Sequence, residues 1–361
     1  MIASTMQEFA ARHVAPLSLS RSSDFPTALW ASMGQAGLFR IGLPAEFGGD
    51  GGGMGAIATA EAALVEGGGS IGFGLSWTGH QLVARHFVLG FATADQQRRY
   101  LPGLAAGTLT AAVAISEPGA GAHPKLLKTT ARREGGDWIL DGVKAWVTNG
   151  PFADLLIVFA ISAMEGERKR YSAFIVPRDA AGLVISPMPL RGLKPSPHCQ
   201  LALRACRVPH AAMLGPPGGA YEAMALPFRD LEDAVGTAGL AGALRFVLRR
   251  LAAAPQLPGD ATTKLGELSG LVAVLDQAAR ALAAALDAGR KPDAALLSGT
   301  RSLAQHVLAR VRESPVAGGD ADLAAALGDL DAMLAIAQGP RAIKQRKLGE
   351  DLILSQNGSA P

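Results

Sequence analysis

With 361 residues, 49% of them hydrophobic, the chain has the material for a large buried core and two or three domains. Only 5% are aromatic while Ala and Gly abound, which favours close-packed helices. The formal charge of +3, from 34 Lys plus Arg against 31 Asp plus Glu, is too small for a general nucleic-acid role. Cys199 and Cys206 match neither a CxxC redox pair nor a zinc ligand set and are expected to be buried, reduced thiols. The N-terminus lacks the pattern of a signal peptide, and no run of about 18 uncharged apolar residues occurs, so the expectation is a soluble, cytoplasmic protein without membrane insertion.

Residues 1–110 read as helices, with apolar residues at three- and four-residue spacing in Phe25 to Ala36 and Ala56 to Glu66. The Gly48 to Gly53 run has no flanking strand and no Lys-Ser/Thr, so it reads as a turn and not a P-loop. Between 111 and 217 the pattern changes to short β-branched or aromatic runs. Strands are predicted at Trp138 to Leu140, Lys144 to Thr148, Leu155 to Ala160, Tyr171 to Val176, Leu183 to Pro187 and Gln200 to Val208. Asp141-Gly142 and Asn149-Gly150 are taken as tight hairpin turns, and Glu167 to Arg170 as a solvated loop. From 218 to 361 the helical period returns in Leu231 to Ala253, Lys264 to Leu286, Leu296 to Arg312 and Ala321 to Ile336, with a polar end from Ser355. The fold class is thus α+β: an N-terminal helical domain, a central antiparallel β domain and a C-terminal helical bundle.

Ala112 to His123, reading AVAISEPGAGAH, precedes Asp141 to Gly150, reading DGVKAWVTNG, by some twenty residues. Together they resemble the acyl-CoA dehydrogenase family, in which a TEPxAGSD segment and a WIT segment line a flavin ring. Gly37 to Arg40 with Leu43 to Gly49, and Gln96 to Gly107, are similar to that family's flanking segments. The resemblance is strong over residues 35 to 215 and weakens beyond. It implies FAD as cofactor, with Val113, Ile115, Ser116, Gly119, Gly121 and Ala122 on one segment, and Trp146, Val147 and Thr148 on the other, around the ring. Trp146 supplies an apolar wall, Ser116 and Thr148 serve as hydroxyl donors to the polar edge, and Gly119 and Gly121 allow close backbone approach. Ser116 stands for the usual Thr and keeps the hydroxyl, whereas Ala122-His123 replaces the usual Ser-Asp and removes a donor. His123 reads as an exposed loop residue.

The family's base is a Glu in a C-terminal segment that matches Leu330 to Pro340 here, where Gln338 takes the base position. An amide has no useful basicity at neutral pH, though its N–H can polarise a carbonyl. Some members carry the base on the first helix of the C-terminal domain beside an arginine. Counting back from Gly239-Leu240 places Arg229 and Asp230 there, and Asp230 becomes the alternative base. Two further losses concern the diphosphate: Pro255 to Gly266 lacks the family's Arg and holds only Gln256, too early, and Ala317 to Asp320 is a remnant of its Gly-rich loop.

Three readings stay open. The first is an FAD-dependent oxidoreductase acting on the CH–CH group of an acyl thioester, on CoA or a carrier protein, with a relocated base. The second is other flavin chemistry on such a thioester. The third is a catalytically silent homologue that serves as a partner subunit. The resemblance implies a homodimer or homotetramer, and the third reading a hetero-oligomer with an active homologue.

Overall fold

A computed structural model describes residues 2–255, 259–313 and 320–356. Five helices open the chain: α1 (Ile2–Phe9), α2 (Thr27–Gln35), α3 (Met54–Gly68), α4 (Ile71–Leu82) and α5 (Ala94–Ala106). Ser70 caps α4 by accepting from the Phe73 amide at 3.2 Å, and Thr93 with Gln96 closes a reciprocal capping box on α5. The Gly-rich stretch before α3 is a loop bridged between Ile41 and Gly51. The Asp287 carboxylate takes the first amides of α3, at 2.5 Å from Met54 and 3.0 Å from Gly55, so a side chain satisfies this helix end.

Eight strands follow: β1 (Ala111–Ala114), β2 (Thr130–Glu134), β3 (Asp137–Thr148), β4 (Leu155–Glu165), β5 (Arg168–Pro177), β6 (Leu183–Met188), β7 (His198–Val208) and β8 (Met213–Leu214). Their order is β6-β7-β3-β2-β4-β5-β8, with β1 also on β4. The sheet is mixed and not purely antiparallel, because β1 and β2 both run parallel to β4. Asp141-Gly142 is not a hairpin turn: β3 runs straight through it, and Gly142, at φ 149°, sits where the pairing with β7 shifts register. A Cβ there would lie 2.5 Å from the Thr129 hydroxyl. The tight turn is Gly135-Gly136, joining β2 to β3. Asn149-Gly150 does turn the chain, but into β4, whose antiparallel partner is β5. The basic run expected as a loop is mostly strand, with Arg168 on Glu222 at 2.8 Å and the Lys169 ammonium on the Lys125 and Leu127 carbonyls.

Alternation along β4 and β5 buries both faces of the sheet. Leu155, Ile157, Phe159, Ala173 and Ile175 pack on the N-terminal helices, while Leu156, Val158, Phe174 and Val176 pack with Trp138 and Leu201 on the other side. Cys199 and Cys206 are free thiols inside this second cluster, and burial pushes them up to about 12 and about 11.

The last five helices are α6 (Leu226–Ala252), α7 (Ala261–Asp287), α8 (Ala294–Arg312), α9 (Ala321–Ala335) and α10 (Gln338–Gln356). Val65 of α3 and Ile71 of α4 join the core that α6 to α9 share. By length and composition alone α7 is apolar enough to cross a membrane; it packs against α3, α6 and α8. The sequence pattern gave no sign of α10, because ion pairs and not an apolar stripe hold it: Arg341 to Asp233 at 3.2 Å and Lys344 to Asp230 at 3.1 Å. Gln256 and the Ala317 to Gly319 stretch lie outside the described residues.

Candidate active site

A cleft opens between the sheet and α6. Its β wall comes from two segments that the sequence keeps thirty residues apart. The buried Lys144 of β3 joins them, donating to the Ile115 carbonyl at 3.1 Å and to the Glu117 carboxylate at 2.9 Å. Glu117 also accepts from the amides of Lys128 at 2.7 Å and Thr129 at 2.9 Å, and the Ala145 amide donates to the Ser116 carbonyl at 2.9 Å. Burial works to raise the Glu117 carboxyl, but the Lys144 charge and these hydrogen bonds outweigh it and hold it below the usual carboxylate range. Burial lowers Lys144, and the Glu117 charge and hydrogen bond oppose it.

This staple presents Val113, Ile115, Ser116 and Ala122 to the cleft, opposite Trp146 and Thr148. Trp146 has φ +60°, a left-handed backbone rare for a bulky residue, at the second register shift between β3 and β7. That twist turns the indole out of the sheet, leaving it 53% exposed at the cleft. Val147 points the other way and is buried in the sheet core, outside the cleft. Gly119 and Gly121 are in the loop beside the cleft and do not line it. Both have positive φ, and an added Cβ would meet open space, so backbone conformation and not crowding calls for glycine. His123 is exposed, as expected.

The helical wall carries the charged groups. Tyr221, in a π-helical turn before α6, donates from its hydroxyl to the Ala122 carbonyl at 2.7 Å and so ties the two walls. Ala225, Phe228, Arg229 and Glu232 then face the cleft, and Arg229 reaches the Tyr221 hydroxyl. Glu232 keeps exposed surface where it lines the cleft. Desolvation by the protein packed around the cleft pushes its carboxyl up to about 8 even though its surface is open to the cleft, the Asp233 charge adds to this, and Arg229 opposes it. Glu232 is the only carboxylate among the lining residues.

Neither acid-site residue expected from the sequence is in this cleft. Asp230 lies two residues from Glu232, on another face of α6, bound by Lys344 at 3.1 Å and Lys291 at 3.7 Å. Gln338 starts α10 and lines a separate recess with Arg312, Asp331 and Leu334 that shares no residue with the cleft. The signal that singles out Glu232 is present in the sequence: Ala225, Phe228, Arg229 and Glu232 stand at i, i+3, i+4 and i+7, one stripe of one helix.

The β wall fits the ring of a flavin, with an exposed indole face, the Ser116 and Thr148 hydroxyls in reach, and apolar Val113, Ile115 and Ala122 beside them. No grip on a diphosphate is seen among the described residues of 255–266, where the one cation, Lys264, is engaged by Asp260 at 2.6 Å.

Two family descriptions match the chain: acyl-CoA dehydrogenase, N-terminal domain, over residues 1–108, and acyl-CoA dehydrogenase, middle domain, over residues 112–206. Acyl-CoA dehydrogenase FadE12 of Mycobacterium tuberculosis is 31% identical over 262 residues, 72% of this chain and 66% of that protein. The mitochondrial short-chain specific acyl-CoA dehydrogenase of Mus musculus is 32% identical over 225 residues, 62% of this chain and 54% of the mouse protein. The likeness thus spans between half and two-thirds of these relatives. In shape the chain resembles butyryl-CoA dehydrogenase from Megasphaera elsdenii, with a TM-score of 0.87 at 20% identity over 98% of this chain and 97% of that one. A glutaryl-CoA dehydrogenase from Mycobacterium smegmatis, solved in complex with FADH2, gives a TM-score of 0.82 at 22% identity over 100% and 94%.

Proposed function

The chain belongs to the acyl-CoA dehydrogenase family, and from that premise we propose that it oxidises the CH–CH bond next to the carbonyl of an acyl thioester, with Glu232 as the group that takes the α proton. The observation that carries this reading is the position of Glu232 as the cleft's one carboxylate, across from Trp146. FAD, when bound, supplies the two-electron acceptor for the hydride from the β carbon.

The chain's own residues do the rest. Trp146 offers its indole face to a flat ring, and Ser116, whose hydroxyl has no partner among the described residues, is free to pair with a polar edge. Phe228, Val83 and Leu75 exclude water around the acyl group. Glu232 accepts the α proton as its carboxylate, and a group whose affinity for protons lies near the working pH suits that step. Arg229, three residues earlier, favours the charged form of Glu232.

A carboxylate in the cleft, at Glu232, supports this reading over a silent subunit. The test is to load the purified chain with FAD and titrate it anaerobically with acyl-CoA thioesters of several lengths. Bleaching of the flavin is expected. A yellow protein whose colour persists with every thioester would exclude the dehydrogenase reaction, and a chain that stays colourless with added FAD would return the silent-subunit reading.

A further inference from the structure

We propose that His198 commits the hydroxyl hydrogen of Thr148, so that Thr148 offers the cleft an acceptor oxygen and no donor. Thr148 on β3 and His198 on β7 are direct cross-strand partners, which places both side chains on one face of the sheet. The Thr148 hydroxyl lies 2.9 Å from His198 Nε2, and His198 Nδ1 lies 3.2 Å from the Ser196 carbonyl. A carbonyl only accepts, so Nδ1 must carry the proton. The ring is buried at 8% exposure, and its polar contacts are a hydroxyl and a carbonyl with no carboxylate to stabilise a charge, so the neutral form, which burial also favours, leaves a lone pair on Nε2. The hydroxyl of Thr148 must then donate to Nε2, and what remains toward the cleft is oxygen lone pairs.

The surroundings keep this arrangement in place. The Ser76 hydroxyl of α4 donates to Ser196 Oγ at 3.2 Å, and the Asn149 amide donates to the Pro197 carbonyl at 2.9 Å. The Leu193 amide donates to the Asp329 carboxylate at 2.6 Å, and the Ser70 hydroxyl to the Lys194 carbonyl at 3.1 Å. The segment that carries the histidine is therefore bolted to α4 and α9. His198 does not line the cleft, so it is a positioning residue: it acts through Thr148 by fixing which way one hydrogen points.

The consequence rests on the reading that a flavin ring occupies this cleft. An acceptor-only oxygen pairs with an N–H of the ring edge and leaves a bare ring nitrogen unmatched. Two-electron reduction converts a bare ring nitrogen into an N–H, so Thr148 held in this way would favour the reduced ring over the oxidised one. Replacing His198 by Leu frees the hydroxyl to donate as well, which restores a match to the oxidised ring. The expected change in the ratio of reduced to oxidised binding is about tenfold toward the oxidised form, about 30 mV lower for a two-electron couple.

Two measurements test this. Ring nitrogen NMR of the intact chain, with His198 identified by the signal lost in His198→Gln, is expected to show a neutral ring protonated at Nδ1. A ring protonated at Nε2, or a charged ring, overturns the proposal whether or not FAD binds. Flavin potentials are then compared in the parent, His198→Leu, Thr148→Val and the double variant. The shift caused by His198→Leu is expected to vanish when Thr148 is already Val. An equal shift in both backgrounds means His198 acts through general packing, and the proposal fails. Absence of FAD binding in every form would defeat the function reading while leaving the NMR result to decide the tautomer.

Discussion

The two walls of the cleft are built by opposite means. On the β wall, position follows from register: once Ala145 pairs with Ser116 and Lys144 closes on Glu117, Trp146 has one place to go. On the helical wall, position follows from rotation, at about 100° per residue, so a shift of two residues carries a side chain to another face. Asp230 and Glu232 show the difference, since one binds the lysines of α10 and the α7–α8 link while the other enters the cleft. A strand motif can be carried over by matching letters, whereas a helix motif needs the turn angle too.

The strongest way to break this contrast is to remove the staple of the β wall. Glu117→Ala leaves Lys144 buried without its counter-charge, and unfolding free energy measured in urea is expected to fall by about 3–5 kcal/mol. A loss under 1 kcal/mol would mean the pair does not hold the two segments together. Next comes the helical wall, where pH is the probe. Glu232 must be ionised to take a proton, and burial holds its proton to about 8. The rate of flavin reduction by substrate is therefore expected to rise about tenfold per pH unit below that value and to level off above it. A flat profile between pH 6 and 9 would rule out an acid of this kind.

A smaller effect separates strain from function at Trp146. Trp146→Gly relieves a left-handed backbone and loses a side chain that is 53% exposed, so stability is expected to rise by about 1 kcal/mol while affinity for FAD falls. Stability and affinity falling together would place Trp146 in the core and not at the cofactor. The least effect is expected at Asp230, whose partners are partly exposed: Asp230→Asn is expected to cost about 0.5–1 kcal/mol in thermal unfolding.

The sequence made the β wall legible because Ser116, Trp146 and Thr148 sit in segments whose letters are tied to a fixed ladder. Even there it misread Asp141-Gly142, since a dipeptide that tolerates positive φ serves a bulge as well as a hairpin. Trp146 and Val147 are neighbours in one motif, yet alternation along the strand sends their side chains to opposite faces, and that of Val147 lies in the sheet core. The parallel pairing of β1 and β2 with β4 was hidden because it joins residues far apart in the chain. Helix α10 was missed because charge pairs hold it, and these leave no period in hydrophobicity. That Glu232 lines the cleft was not seen, because the count back from Gly239-Leu240 fixes a position without asking which stripe of α6 also carries Ala225, Phe228 and Arg229.

The assignment of the cleft's base to Glu232 of α6 makes one direct prediction. It is tested most directly by anaerobic flavin reduction with an acyl-CoA thioester in Glu232→Gln, Asp230→Asn and Gln338→Ala, side by side with the parent chain. Glu232→Gln is expected to slow reduction by about 10²–10⁴-fold while the other two keep the parent rate. Reduction at the parent rate in Glu232→Gln, or its loss in Asp230→Asn with FAD still bound, would contradict the claim.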